Sequence, residues 1–555
     1  MLKTRYFSLL LLALSQGVNA AQSPSAGNQI LQIPPPSIPP KIAPELDLEQ
    51  SPAPTSPKSD QAKISVNGLM ITGAHAYSEI DLLSHTGFKP GSELSLAELR
   101  SMTLKIVDYY HRNGYFVAQA YLPVQDIKDG IVNIVVIEGN YGSITLRNKT
   151  NLSSRLANSL LSGLGSGDPI TSAPLENSLL LLSDLPGVRI KSTLARGSSV
   201  GSSDLFVDIT PEQRVTGSVD TDNTGNRYTG ANRIGATVNL NDAAGFGDVT
   251  SIRTLTSGPG LNYARASYQM QFGKTKLGFA YSSLAYALGQ EFESLLAKGT
   301  ADIASIYGSY PLIRSRNNNL YAQLAYDSKT FQDKINSTST VTDKRAEVLM
   351  LSVNGDQQDN LGGTGINSYS FSWIAGNIYI KTPSMQFSDT ATVQSNGAYN
   401  KFVISAMRFQ SITDFTSLYV QVNGQFSSKN LDVSEKMELG GMYAVRAYPE
   451  GEAYADQGCV LNLETRTLLS KISEKLSGKM QLIGFVDTGT VQANKYVWTP
   501  EQNTRSLSGA GVGINWTGTN NFVVKTYYAR KLGDEAATTA PDKSGRFWIQ
   551  GVKYF

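Results

Sequence analysis

The chain has 555 residues, too many for one ordinary domain, and is expected to fold as two to four units. Its 48 basic and 46 acidic residues nearly cancel, which gives no reason to expect a nucleic-acid partner. One cysteine, Cys459, excludes an internal disulfide, and three histidines (His75, His85 and His111) with no His-x-x-x-His or Cys-x-x-Cys spacing argue against a metal site, so neither metal nor cofactor is expected.

Residues 1–20 read as a secretory signal. Lys3 and Arg5 supply the charged start, residues 7–14 the apolar run, and Val18, Asn19 and Ala20 a small-residue cleavage site. The apolar run is shorter than the ~20 residues a spanning helix needs. Residues 21–61 read as a linker. Nine prolines fall between Pro34 and Pro57, a composition that favours extended polyproline conformations and cannot bury a core.

A first α+β unit is expected over residues 62–139. It opens with a strand at 64–66. Ser95 and Glu98 form a capping box, and Leu96, Leu99, Thr103, Ile106 and Tyr110 follow at helical spacing until Gly114 stops the helix. Alternation predicts strands over 115–122 and 131–137. A second unit of the same make-up is expected over 140–211. A strand at 144–146 precedes helices at 154–164 and 173–185, and strands at 188–194 and 205–209 close it.

Over residues 212–555 helical periodicity disappears. Strands of period two are separated by Gly- and Asn-rich loops. In the clearest, Leu418, Val420, Val422 and Phe426 share one face while Tyr419, Gln421, Asn423 and Gln425 share the other. Polar residues recurring on one face suit a water-filled interior. With the signal and the terminal aromatic Phe555, the pattern predicts an antiparallel membrane barrel. At about 10 spanning residues per strand plus loops, the length fits about sixteen strands.

One long loop, near residues 439–458, stands out. Gly440 and Gly441 permit a sharp reversal, Arg446 offers a permanent cation beside Tyr448, Pro449 ends local pairing, and Asp456 closes the stretch. Its expected target is the strand around 481–489, where Phe485, Asp487 and Gly489 face one way and Met480, Leu482, Gly484 and Val486 the other. If the apolar face meets lipid, Asp487 points into the lumen and needs a partner, for which Arg446 is the candidate.

The chain resembles the TpsB transporters of two-partner secretion, of the ShlB/FhaC/HecB haemolysin activation/secretion type. They belong to the outer-membrane superfamily that joins POTRA domains to a β-barrel. Tyr121 to Asp126, with Gly130 and the run Val136, Ile137, Glu138, Gly139, is similar to the end of the family's first POTRA domain. Leu179 to Gly187 and Gly201 to Leu205 are similar to its second. Asp220 to Gly225 with Tyr228 to Gly230 looks like the start of its barrel, and Tyr310 to Arg316 is a further match. The lid loop usually carries Val-Arg-Gly-Tyr, here Val445, Arg446, Ala447 and Tyr448; the Phe-x-Asp-x-Gly strand motif is intact at Phe485, Asp487 and Gly489. Ala447 in place of glycine would make a positive φ costly, so the loop is expected to sit differently. For the barrel-plugging helix that often begins the family, residues 21–60 offer only a short candidate, near 28–32. In the last strand Lys553 shares a face with Ile549 and Phe555, an imperfect barrel-assembly signal.

The resemblance implies a transporter of a Gram-negative outer membrane, its POTRA domains in the periplasm. It would recognise an unfolded TpsA-type exoprotein (an adhesin, a haemolysin, a haem-scavenging protein or a contact-dependent toxin) and export it through the barrel. It would contact outer-membrane lipid, and the barrel-assembly machinery during biogenesis. No phosphate-binding loop is present in the sequence. Sheet edges of the POTRA domains are the expected binding places for an extended substrate. The alternatives are a barrel-assembly insertase and a passive porin. An enzyme is not expected, since no catalytic pair of carboxylates or Ser-His-Asp set is recognisable.

Overall fold

The computed structural model describes residues 24–34, 45–48, 62–469 and 478–555, with backbone alone at 45–48. The expected signal, residues 1–20, lies outside the described residues, as does most of the linker. Two pieces of that linker nevertheless have regular structure: a helix at Ala26–Leu31 and a strand at Glu45–Leu48. Both precede or fall between the prolines, so the sequence that cannot build a core of its own supplies short segments to cores and sheets built elsewhere.

In the first unit the capping box forms as expected: Glu98 Oε2 accepts the Ser95 N–H at 2.7 Å, and Ser95 Oγ accepts the Glu98 N–H at 3.3 Å. The helix Leu96–Arg112 then buries Leu99, Thr103, Ile106 and Tyr110 against Val66, Leu82 and Ile134. Gly114 takes the left-handed φ of 91°. The strand expected over 115–122 shrinks to Gln119–Tyr121. The Tyr115 N–H bonds back to Tyr110 O at 3.0 Å and Ala118 N–H to Tyr115 O at 3.0 Å, so the first residues turn instead of extending. The main sheet places Ile131–Ile137 between Gly68–Thr72 and Gln119–Tyr121.

The second unit packs helices Ser154–Leu161 and Ser172–Ser183 on a sheet whose order is Glu45–Leu48, Val188–Arg196, Ser202–Pro211, Asn140–Asn148. Leucines 160, 182, 185 and 205 are fully buried between the layers. This unit also grips the barrel. Arg314, the last residue of the barrel strand Ala297–Arg314 before the turn to Asn318–Ile335, donates through Nε and Nη2 to both Asp184 oxygens at 2.8 Å each. Its carbonyl accepts from Asn177 Nδ2 at 3.0 Å, and Arg316 N–H donates to Glu176 at 2.5 Å.

Sixteen antiparallel strands form the closed barrel. Closure joins the first, Val215–Asp222, to the last, Gly545–Tyr554, with Ser218 opposite Tyr554 and Asp222 opposite Gln550. Alternation sends apolar side chains outward: Phe279, Ile306 and Phe371 are exposed on the outer face, as a lipid-facing surface requires. Lys553 does share that face with Ile549 and Phe555; its ammonium reaches the carbonyl of Asn520 in the adjacent turn, the snorkelling that lets a long cation sit at a membrane edge.

Candidate functional site: a loop docked in the barrel lumen

The wall strand Lys479–Gln492 alternates as its sequence requires. Leu482 and Val486 are 46% and 43% exposed outside, while Phe485 and Asp487 are 5% and 0% exposed inside. Its neighbour Gln457–Leu469 sets Asn462 opposite Asp487 and Glu464 opposite Phe485. On the other side Gly509 and Gly511 stand opposite Asp487 and Phe485. Their missing side chains leave the space into which the loop folds: a Cβ at Gly509 would lie 2.5 Å from the Ala447 methyl.

The loop reverses at Gly441, whose φ is 104°. Gly440 is needed for close approach, because a Cβ there would lie 2.3 Å from the Pro449 carbonyl. The reversal drives Arg446 onto the wall. Arg446 Nε and Nη2 donate to the two oxygens of Asp487 at 2.8 and 2.7 Å, a forked pair that arginine's planar head can make and lysine's cannot. Its backbone N–H adds a third bond to Asp487 at 3.1 Å, and Nη1 reaches Glu464 at 2.7 Å. The guanidinium lies over the Phe485 ring at 3.5 Å from its centroid, with Tyr527 at 5.0 Å. Asn462 completes the site by donating to Asp487 and to the Ala444 carbonyl, both at 2.8 Å.

The other expected residues divide. Gly489 is part of the site: a Cβ there would lie 2.3 Å from Leu439, so only glycine lets the base of the loop lie flat. Tyr448 is fully buried beside it, its hydroxyl donating to the Glu535 carbonyl at 3.0 Å. Asp456 takes no part in the Arg446 contacts. It pins the far end of the loop, accepting from Leu431 N–H at 3.0 Å and Lys495 N–H at 2.8 Å and pairing with Lys436 at 3.1 Å. The strain expected of a positive φ at Ala447 does not arise. Ala447 is absent from the positive-φ residues and is fully buried, so its methyl packs without backbone strain.

Four residues of the site were not expected from the sequence. Glu464 and Asn462 share a face two residues apart, the luminal alternation that could have found them. Trp548 donates from Nε1 to the Arg446 carbonyl at 2.7 Å, across 102 residues with no local signal. Glu452 forms a second anchor. Its fully buried carboxylate accepts from Arg505 at 2.6 Å and from the hydroxyls of Thr538 and Thr539 at 2.7 Å each. Burial alone would raise this carboxyl, but those hydrogen bonds prevail and hold it below the usual range.

Behind the loop sits the short helix Ala26–Leu31, which the sequence offered only as a candidate. It lies inside the barrel, buried at Ala26, Gly27, Asn28 and Gln29. Its Ala26 N–H donates to Asp333 at 2.8 Å, Gln29 accepts from Thr229 at 2.7 Å, and the Gln32 carbonyl accepts from Arg233 at 2.9 Å. Gln32 Nε2 also donates to Tyr454 of the loop at 2.5 Å, so helix and loop fill the lumen together.

Residues 201–516 match the family described as haemolysin secretion/activation protein ShlB/FhaC/HecB, and residues 64–139 match the ShlB-type POTRA domain. The heme/hemopexin transporter protein HuxB of Haemophilus influenzae is 28% identical over 84% of this chain and 82% of its own length. The outer membrane transporter CdiB of Dickeya dadantii is 22% identical over 76% of this chain and 74% of its own. Among solved structures, CdiB from Escherichia coli superposes with a TM-score of 0.69 at 18% identity, covering 92% of this chain and 94% of that one. These matches set the insertase and porin alternatives aside in favour of an outer-membrane transporter that exports a partner exoprotein. With the family match spanning more than half of its length, and a closed barrel behind tandem α+β units, the chain belongs to the ShlB/FhaC/HecB haemolysin secretion/activation family.

Proposed function

We propose that transport is divided along the chain as follows. Residues 62–139 and 140–211 act as two periplasmic POTRA domains that capture the unfolded TpsA-type partner, and residues 212–555 form the conduit. The loop at 439–458 is a latch that Arg446 holds against Asp487. The forked, threefold contact of Arg446 with Asp487 is the observation that carries the latch. Catalysis has no part in this reading. Two of the three histidines have fold roles instead: His85 stacks on Tyr109 at 4.1 Å and His111 Nε2 lies 3.0 Å from the Ala118 carbonyl. A haem-scavenging partner is one of the four cargo classes that suit the transporter, and the likeness to HuxB supports it.

The test is mass spectrometry of secreted and surface proteins from cells with and without this chain. Loss of one large exoprotein is the expected result. Broad loss of outer-membrane proteins, or no change, would overturn the reading.

Capture is useful only if the second domain delivers cargo to the pore, and the Arg314 fork fixes that geometry. Asp184→Ala removes two charge-assisted hydrogen bonds, worth about 1.5–3 kcal/mol. It is expected to lower export several-fold while the barrel remains folded and heat-modifiable on gels. Unchanged export would show that the fork is dispensable.

A further inference from the structure

Four neighbouring strands of the barrel are longer than a membrane requires. Ala297–Arg314 and Asn318–Ile335 have 18 residues each, Thr340–Asp359 has 20 and Gly365–Ile380 has 16, whereas about 9–11 tilted residues span a bilayer. Arg314 holds their periplasmic end against the second domain, so the excess length projects from the cell surface. Alternation marks where the lipid stops. Towards the surface along Ala297–Arg314, the outer face changes from Ile306 and Ala304 to Asp302, Thr300 and Lys298. Along the next strand Leu324 and Tyr326 give way to Ser328, Thr330, Gln332 and Lys334. Tyr326, with Tyr281 and Tyr379 on nearby strands, exposes its ring near this change from apolar to polar, as the aromatic girdle of a membrane barrel does.

Four cations stand on this extension. Lys298 and Lys334 are directly opposite each other on neighbouring strands. Arg345 is on the third strand, level with Thr330. Lys381 follows the fourth strand, exposed, its N–H donating to the Asp343 carbonyl at 2.8 Å. The carboxylates of the same face are already engaged. Asp302 accepts from the Tyr281 hydroxyl at 3.0 Å and Asp343 from Gln332 Nε2 at 2.8 Å, while Glu347 accepts from Tyr326, Ser328 and Arg345. Among the described residues Lys298, Lys334 and Lys381 enter no ion pair. Like charges directly opposite on paired strands are destabilising, and here two ammonium groups are kept level with no carboxylate bonded between them. An anion seated there would remove the repulsion. From Lys298 to the level of Arg345 the patch runs four residues along the strands, about 13 Å, and three strand spacings across, about 14 Å. That is broader than one phosphate.

We propose that Lys298, Lys334, Arg345 and Lys381 form a binding site for a multiply phosphorylated glycolipid of the outer leaflet, of the lipid A class. Its phosphates lie among the cations, and its acyl chains run down the apolar face over Ile306, Leu324 and Leu349, all of which are exposed. Two features select this occupant. The patch lies directly above lipid-facing surface, so a lipid reaches it without leaving the membrane. Its breadth sets cations around more than one phosphate, with arginine able to make two parallel bonds and each lysine acting as a point charge.

The experiment titrates the purified full chain, in a non-ionic detergent, with lipid A, with dephosphorylated lipid A and with inorganic phosphate, and reads binding by native mass spectrometry. The parent is expected to bind lipid A at least tenfold more tightly than the dephosphorylated form. Each lysine near a membrane surface contributes about fivefold to the binding of anionic lipid. Lys298→Gln with Lys334→Gln is therefore expected to weaken lipid A binding at least tenfold, and Lys298→Arg with Lys334→Arg to preserve it. Lys274→Gln with Lys553→Gln removes the same charge at the periplasmic end and is expected to bind as the parent does. Parent-like binding by the first glutamine pair would overturn the proposal, and so would an equal loss in the periplasmic pair, which would mark a net-charge effect. Inorganic phosphate that displaces lipid A at matching concentrations would show a free-anion site and count equally against it. Heat-modifiability on gels reports whether each variant is folded. Should the first glutamine pair not fold, equal binding of the two lipids by the parent still overturns the proposal.

Discussion

Arg446→Ala is expected to abolish export while leaving the barrel inserted in the outer membrane. The substitution strands Asp487, which is fully buried, whereas Glu464 keeps its pair with Arg466 at 2.7 Å. Removing one partner of a buried pair costs about 3–5 kcal/mol. The lumen is partly wet, so the lower end applies, and about 3 kcal/mol already shifts the docking of the loop by two orders of magnitude. Arg446→Lys is expected to restore little, because an ammonium cannot hold both Asp487 oxygens while reaching Glu464. Trp548 and Asn462 would each lose a partner as well, since both bond to carbonyls of the docked loop. The measurement is partner protein in the medium, alongside heat-modifiability of the barrel on gels. Normal export by Arg446→Ala would end the latch reading.

Gly27→Val is expected to expel the luminal helix and open a wider channel. A Cβ at Gly27 would lie 2.8 Å from Ser434 Cβ and 3.1 Å from its Cα, so one of the two segments must move. The turn Val433–Glu435 is the better held. Glu435 is paired with Lys329 at 2.7 Å and Lys401 at 3.0 Å, and Asp432 with Lys344 at 2.9 Å. The helix has six residues and a few single hydrogen bonds. Overpacking of this kind costs about 1–3 kcal/mol, enough to move a two-state equilibrium about fivefold to a hundredfold. Single-channel conductance in planar bilayers should rise, and cells should become sensitive to bulky hydrophilic antibiotics. Conductance equal to that of the parent chain would mean the helix does not limit the pore.

The two predictions differ in how far the sequence alone anticipates them. Phe485, Asp487 and Gly489 lie two apart on one strand, so their common face was legible, and a buried carboxylate demands a cation. Arg446 was the one cation in a glycine-rich loop of suitable length. Glu464 was hidden because its partner lies eighteen residues away across a loop. Glu452 was hidden because Thr538 and Thr539, which hold it, carry no signal of pairing in a polar hairpin turn. The seat of Ala447 was misjudged for a related reason. The strain expected there assumes a left-handed backbone, whereas the room for its methyl comes from Gly509 on a strand sixty residues on.

By itself the sequence determined the alternating strands, the capped helix at Leu96–Arg112 and the polar inner face of the barrel, because each is written in spacings of two to four residues that the backbone geometry converts directly into faces. It also determined which carboxylate needed a cation. Tertiary structure alone decided that a six-residue helix from a proline-rich linker lies in the lumen and that four residues of the same linker complete a sheet in the second domain. Such segments are too short to be stable alone. Their conformation is supplied by partners more than a hundred residues away, and no local pattern records those partners.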